Sequence, residues 1–170
     1  ELMPQARQTL MDFVRAGGGL FVTMGDQVNI DWMNSQLRPL LPGELRGVKG
    51  QAILGDKDTA ESLGLGRFMT DHPIFAPFVN SGDDEVLPGL ARVTAHSLML
   101  LEPEPSFERH VLARFSNDAP ALIERNVQQG RVLLWTSSID RDCCDLAIRP
   151  GLVPLLHQIV RYLDQALHSV

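Results

Sequence analysis

The chain has 170 residues, of which 44% are hydrophobic and 21% are charged, and its formal net charge is −6. These values fit one globular domain, since domains typically run to about 100–150 residues. The acidic balance excludes a nucleic-acid-binding module of the usual basic kind, and no apolar run approaches the roughly 18 residues that a membrane helix needs. Because the chain opens inside a predicted helix, we expect it to be a piece of a larger protein.

The first forty residues predict half of a βαβ unit. An apolar stripe at helical spacing predicts a helix over residues 4–16, which the three glycines 17–19 end. The short, unbroken apolar run over residues 20–24 is typical of a strand buried on both faces at the centre of a parallel sheet. A second short helix is predicted over residues 31–37, with Asn29 or Asp31 as its cap.

The middle of the chain predicts an irregular insertion at about residues 38–90, punctuated by prolines and glycines. Within it, Phe75 and Phe78 are expected to cover the sheet. Trp32 and Met33 are further candidates for a docking surface, and Trp32 fits that surface and the cover of the sheet equally well.

The second half of the chain predicts strands and one long helix. Alternating or apolar segments predict strands over residues 92–98, 110–115, 121–127 and 132–136. Hairpin-length, turn-rich links indicate that residues 110–136 form an antiparallel meander whose last strand enters the main sheet. A broad apolar face predicts a helix over residues 152–167. The predicted fold class is therefore α/β, with short parallel core strands, an antiparallel C-terminal meander and flanking helices.

The loop after the strand at residues 132–136 is the predicted ligand or partner loop. In an open α/β sheet, ligands usually bind at the carboxyl end of a strand. The alternative is structural, with serine and aspartate side chains capping the loop and arginines pairing with acidic neighbours. The candidate residues of this loop are Ser137, Ser138, Asp140, Arg141, Asp142, Asp145 and Arg149.

Nucleophilic catalysis at this loop has two candidate forms. Cys143 and Cys144 lie between acidic residues, which raise the pKa of a thiol, so unpaired structural thiols are favoured over a nucleophile. Ser137 and Asp140 could join a histidine such as His157 in a hydrolytic triad, but a triad requires a geometry that spacing does not supply.

Metal and cofactor sites have weaker signals. Asp26, Asp31, His72 or the acidic residues 140–145 could hold Mg²⁺ or Ca²⁺, although no spacing matches a known metal loop and a solvated acidic rim is favoured. The three glycines follow a helix and precede a strand, which is the wrong order for a phosphate-binding loop. No cofactor is predicted.

Three segments carry a resemblance to a known family. The helix, triple-glycine and strand step over residues 14–22 resembles class I glutamine-amidotransferase-like domains. Residues 111–115, 120–125 and 130–134 resemble the tail of that family, and are similar to non-catalytic members such as the trimerisation domain of certain β-galactosidases. The ending over residues 136–157 resembles the amidotransferase-like domain of large bacterial BatA-like membrane proteins (aerotolerance-type, containing a von Willebrand factor A domain).

This resemblance implies a partial flavodoxin-like or amidotransferase-like sheet in a membrane-anchored bacterial protein, with the periplasmic side favoured. The family's catalytic members place a cysteine in a Gly-x-Cys-x-Gly turn, which this chain lacks. The glutaminase chemistry therefore cannot be carried over to it.

We therefore predict a non-enzymatic scaffold or protein-interaction domain, with a protein partner or other domains of the same chain. Nucleic acid is not an expected partner, and the membrane is expected only through segments outside this chain. One alternative is a hydrolase or small-ligand-binding domain that uses residues 136–150. Another is a homo-oligomerisation module, because a missing upstream strand would leave an open sheet edge.

Overall fold

The computed structural model describes residues 2–25, 27–50, 63–79, 90, 93–102, 110–141 and 143–167. These residues form three α-helices and eight strands. The helices are α1 (Pro4–Arg15), α2 (Ile30–Gln36) and α3 (Leu152–Leu167). The strands are β1 (Gly19–Thr23), β2 (Glu44–Gly50), β3 (Leu63–Phe68), β4 (Thr94–Ala95), β5 (Ser97–Glu102), β6 (Val111–Phe115), β7 (Pro120–Val127) and β8 (Gly130–Trp135).

The main sheet has six strands in the order β1-β8-β7-β6-β3-β4, and β2 and β5 form a separate antiparallel pair. Strand β1 runs parallel to β8, with Gly19 opposite Arg131 and Thr23 opposite Trp135. Strands β6, β7 and β8 are antiparallel neighbours, which confirms the predicted meander and its entry into the main sheet. The predicted α/β class is confirmed.

Helices α1 and α3 cover opposite faces of the sheet. Because side chains alternate along a strand, Val132 packs with Val14 of α1, whereas Leu133 packs with Ile159 of α3. Gly130 lets α1 approach closely, since a Cβ there would lie 1.8 Å from the Val14 carbonyl oxygen. The alternation of apolar side chains along β8 thus gives each of the two helices an apolar face of the sheet to cover.

Most predicted boundaries hold within one or two residues. Asn29 caps α2, because its side chain accepts a hydrogen bond from the Trp32 N–H group. The backbone of Gly17 has φ 111° just after α1, as expected of a glycine that ends a helix. Phe75 and Phe78 are buried against the sheet, as predicted, and Trp32 is half-buried beside α1.

Two predictions about the middle strands are wrong. The segment predicted as irregular contains β2 and β3, whose glycines and charged residues hide the strand pattern. The single strand predicted over residues 92–98 is instead split at His96, whose N–H group donates to the Cys143 carbonyl. The chain turns there, so β4 joins the main sheet while β5 pairs with β2.

The position of β1 also differs from the prediction. Its apolar sequence predicts a central strand, but β1 lies at the edge of the sheet, and its apolar side chains are only half-buried. None of the strands in the described ranges pairs with its outer edge.

The apolar face of α3 is narrower than its sequence predicts. Leu155, Ile159 and Leu163 are buried, whereas Val153 and Val160 are exposed. Apolar residues surround much of this helix, and only the stripe that repeats every three to four residues reaches the sheet.

Candidate functional site

The predicted loop lies at the carboxyl end of β8, and its two serines are buried. The Ser137 hydroxyl donates to the Ser97 carbonyl of β5 over 2.7 Å. The Ser138 hydroxyl donates to Asp140 Oδ2 over 2.5 Å, and Asp140 Oδ1 accepts from the Cys143 N–H group over 3.1 Å. These three polar side chains therefore hold the loop together.

The second half of the loop is tied down by Asp145. Its Oδ1 atom accepts from the Thr94 N–H group over 2.7 Å, and its Oδ2 atom accepts from Arg149 Nε over 2.9 Å. Burial acts to raise the pKa of Asp145, but Arg149 and Thr94 outweigh it and hold this pKa below its ordinary value. Arg141 is exposed, and Asp142 lies outside the described residues.

The structure thus brings together two pairs of predicted site residues, Ser138 with Asp140 and Asp145 with Arg149. Ser137 bonds instead to the backbone of β5. The structural alternative raised from the sequence accounts for each of these contacts, because every one links two parts of the chain and fixes the loop.

The two cysteines are free and buried within the same loop. Burial, together with the nearby charge of Asp145, raises the pKa of the Cys144 thiol to about 11. A thiol with that pKa is protonated at neutral pH and is a poor nucleophile. The geometry therefore favours structural thiols.

A different polar cluster, which the sequence did not reveal, lies at the opposite end of β8. It comprises His72, Glu124 of β7, Arg131 of β8 and Tyr162 of α3. The Tyr162 hydroxyl donates to Glu124 Oε1 over 2.6 Å, and the Arg131 guanidinium lies 4.6 Å from the centre of the Tyr162 ring. His72 packs edge-on against Tyr162, with 4.6 Å between ring centres.

Glu124 is the charged centre of this cluster, and its side chain is only 11% exposed. Burial acts to raise the pKa of Glu124, yet His72, Tyr162 and Arg131 together hold it below its ordinary value. Burial and the carboxylate raise the pKa of Tyr162. The glutamate is therefore ionised at neutral pH and fastens α3 to β7.

His72 has one satisfied and one unsatisfied nitrogen. Its Nδ1 atom accepts from the Ile74 N–H group over 3.3 Å. Its Nε2 atom is buried and faces Glu124 Oε2 at 3.8 Å, too far for a hydrogen bond, and it has no hydrogen-bond partner among the described residues. The histidine thus joins the turn before Phe75 to the sheet through its packing on Tyr162 and its contact with Glu124.

One sequence signal could have indicated this cluster. Glu124 and Arg131 point to the same face as the buried Leu122 and Leu133, so each places a charge on an otherwise apolar stripe. Their partners His72 and Tyr162 lie far away in the sequence, and no local pattern connects them.

A metal centre has no support in the described part of the chain, where no three His, Cys, Asp or Glu side chains converge. Asp31 and His72 lie in different parts of the fold, on α2 and in the turn before Phe75. Asp26 lies outside the described residues.

A surface depression of about 320 Å³ lies between β3 and β6. Its charged lining consists of Arg67, Arg114 and Asp118. Arg67 pairs with the Asp118 carboxylate, and Arg114 donates to the Asp118 carbonyl over 2.7 Å. These contacts fasten β3 and β6 to the turn that contains Asp118.

No protein-family model and no curated protein matches the chain. Several solved structures share its fold, among them two proteins from Salmonella typhimurium. Cytoplasmic Protein STM3548 from Salmonella typhimurium is 17% identical with a TM-score of 0.69, over 96% of this chain and 62% of that one. Cytoplasmic Protein STM1381 from Salmonella typhimurium LT2 is 18% identical with a TM-score of 0.62, over 100% and 62% respectively. The chain spans 62% of the length of each.

The neighbours correct the predicted location. We expected a membrane-anchored protein with the periplasmic side favoured, whereas both neighbours are described as cytoplasmic proteins. None of the helices in the described ranges is long and apolar enough to cross a bilayer. By comparison with these two neighbours, the prediction of a membrane-anchored protein is wrong.

Proposed function

We propose that this domain is a non-enzymatic scaffold that binds a protein partner through the outer edge of β1, with which none of the described strands pairs. The observation that carries the proposal is the backbone of this strand. The Gly18 carbonyl accepts from Arg131 and the Met24 N–H group donates to Trp135, so the even-numbered residues face β8. By the two-residue period of a strand, the N–H and C=O groups of Gly19, Phe21 and Thr23 face outward.

The side chains of β1 support the same function. Natural edge strands are usually protected by charged residues, proline or a bulge, and β1 has none of these. Leu20, Phe21 and Val22 are half-buried, although a parallel strand of this kind is usually covered on both faces. Addition of a partner strand would satisfy the outward backbone groups and bury these side chains further.

The polar loop at residues 136–150 supports a scaffold rather than a hydrolase. The Ser137 hydroxyl is bonded to the β5 backbone, and the Cys144 thiol is protonated at neutral pH. The resemblance to non-catalytic amidotransferase-like domains is part of this proposal, and the parallel pairing of β1 and β8 after the triple glycine is consistent with it.

Photocrosslinking tests the proposed surface. A benzophenone amino acid replaces exposed Gln27, which follows β1, in the full natural protein expressed in bacterial cells. Thr23→Pro removes one outward N–H group, whereas Thr23→Val keeps it and serves as the matched control. We expect a crosslinked protein product with the unchanged strand and with Thr23→Val, and its loss with Thr23→Pro. No product, or a product that persists with Thr23→Pro, would overturn the proposal.

A further inference from the structure

The two ring nitrogens of His72 face different groups, one in its own turn and one on the sheet. The Nδ1 atom accepts from the Ile74 N–H group over 3.3 Å, so the neutral ring carries its proton on Nε2. That Nε2 atom is buried and faces Glu124 Oε2 at 3.8 Å, without a hydrogen-bond partner among the described residues. The ring is therefore held by its own turn, with a carboxylate just beyond hydrogen-bond distance.

We infer that His72 is a pH-sensitive switch, which holds the Ile74 N–H group when neutral and bonds to Glu124 when protonated. A second ring proton can attach only to Nδ1, where it meets the Ile74 N–H group, and two donors cannot bond to each other. The protonated ring must therefore release Ile74. Its positive charge attracts the Glu124 carboxylate, and a charge-assisted hydrogen bond closes the gap of 3.8 Å by roughly 1 Å.

The charged and titratable groups of the surrounding elements act on this proton in different directions. Glu124 of β7 favours it, and this carboxylate is ionised above pH 4.5 because its pKa lies below that ordinary value. Tyr162 of α3 donates to Oε1 of the same carboxylate, whereas Oε2 faces the ring of His72. Arg131 of β8, whose guanidinium lies over the Tyr162 ring, opposes a second positive charge. Asp71 of the turn is exposed, so the buried carboxylate is the group that draws a proton to this ring.

The backbone of the turn links His72 to the buried core. The His72 carbonyl accepts from the Phe75 N–H group over 2.8 Å and from the Ala76 N–H group over 2.9 Å. Phe75 is buried, and its ring packs edge-on against Phe68 of β3, with 5.1 Å between ring centres. Because protein interiors are closely packed, a movement of His72 towards Glu124 is passed on to Phe75 and its neighbours. Acidification thus moves the cover that this turn forms over the sheet.

Nuclear magnetic resonance of the purified, nitrogen-15-labelled chain tests the inference. At pH 8, we expect the ring proton of His72 on Nε2 and a scalar coupling across the hydrogen bond from the Ile74 amide nitrogen to Nδ1. Between pH 8 and pH 5, the range in which histidine normally changes its charge, we expect the ring to gain a second proton. The coupling to Ile74 should then disappear, and the Phe75 amide signal should shift. Circular dichroism at each pH checks that the chain stays folded.

Three variants separate the switch from other effects of acid. In His72→Asn, the side-chain oxygen can still accept from Ile74 but takes up no proton, so the shift of the Phe75 signal should vanish. In Glu124→Gln, we expect His72 to gain its proton only at lower pH, whereas Glu102→Gln, at an exposed glutamate, should leave the titration unchanged. If Glu124→Gln fails to fold, Tyr162→Phe frees Oε1 of Glu124, and we expect His72 to gain its proton at higher pH.

Three results would overturn the inference. The first is a ring proton on Nδ1 of His72 at pH 8, and the second is a coupling to Ile74 that persists after the ring has gained its second proton. The third is a ring that stays neutral down to pH 5 or until the chain unfolds. These measurements concern the interior of the fold and not the edge of β1, so their failure would leave the proposed function standing.

Discussion

The polar residues at the two ends of β8 differ in the partners that they bond. At its carboxyl end, Ser138 and Asp140 bond within the loop, and the loop is tied to the backbone of β5 and β4 through Ser137 and Asp145. At its amino end, Arg131 and Glu124 meet His72 and Tyr162, which come from separate parts of the chain. The rule that ligands bind at carboxyl ends locates a possible site, and the hydrogen bonds then show whether its groups are free to react.

The largest expected effect comes from Glu124→Gln. This change removes the buried charge that faces Tyr162, His72 and Arg131, so we expect the free energy of unfolding to fall by about 2 kcal/mol. Urea denaturation measures this. Glu102→Gln, at an exposed glutamate that pairs with Arg46, is the matched control and should change stability by less than about 0.5 kcal/mol. Equal losses in the two variants would remove the distinction between the cluster and an ordinary surface ion pair.

The pH dependence of stability sharpens the same comparison. The pKa of Glu124 is lower in the folded chain than its ordinary value of 4.5. Its stabilisation is therefore fully present above pH 4.5 and is lost as the pH falls through the folded pKa. The stability difference between the unchanged protein and Glu124→Gln should shrink between pH 7 and pH 3. A difference that is constant with pH would show that the carboxylate charge is not responsible.

At the carboxyl end, we expect a smaller effect from Ser137→Ala. The variant loses the buried hydrogen bond to the Ser97 carbonyl and leaves that acceptor unsatisfied, at a cost of about 1 kcal/mol. Ser138→Val provides a comparison at a serine that bonds to a side chain instead. Thermal melts measure both, and hydrolysis of an ester and amide panel tests activity. Hydrolysis that Ser137→Ala abolishes would favour the enzyme alternative.

The smallest expected effect is the reactivity of the two thiols in the folded protein. Cys143 and Cys144 are buried, and the raised pKa of Cys144 keeps its thiol protonated. At pH 8, we expect almost no reaction with a thiol reagent in the native state and reaction of both cysteines in denaturant. Rapid labelling of either thiol in the folded protein would contradict the structural role.

The sequence predicted where the helices and strands lie better than it predicted which strands pair with one another. The helices α1 and α3 and the meander follow from apolar periodicity, which is a local property. The place of β1 at the edge depends on which strands pair, and its apolar sequence alone favours a central position. The strands β2 and β3 were missed because their glycines and charges weaken the pattern that a strand usually shows.

The site shows the same division. The residues of the 136–150 loop could be identified because they are contiguous and follow a buried strand. For the cluster around Glu124, the sequence offers only the charges of Glu124 and Arg131 on apolar strand faces, because its members meet only when α3 and the turn at His72 pack on the sheet. Contacts between residues so far apart in the chain produce no local pattern of residue spacing that would reveal them in the sequence.

The parallel pairing of β1 with β8 has a consequence for biosynthesis. Gly19 cannot pair with Arg131 until Arg131 emerges from the ribosome, about 110 residues later. Closing so large a loop makes folding slow, and parallel pairing of distant segments is exposed to aggregation in the meantime. During translation, the edge of β1 that later pairs with β8 therefore stays without that partner, and a chaperone that shields this apolar strand would raise the yield of native chains.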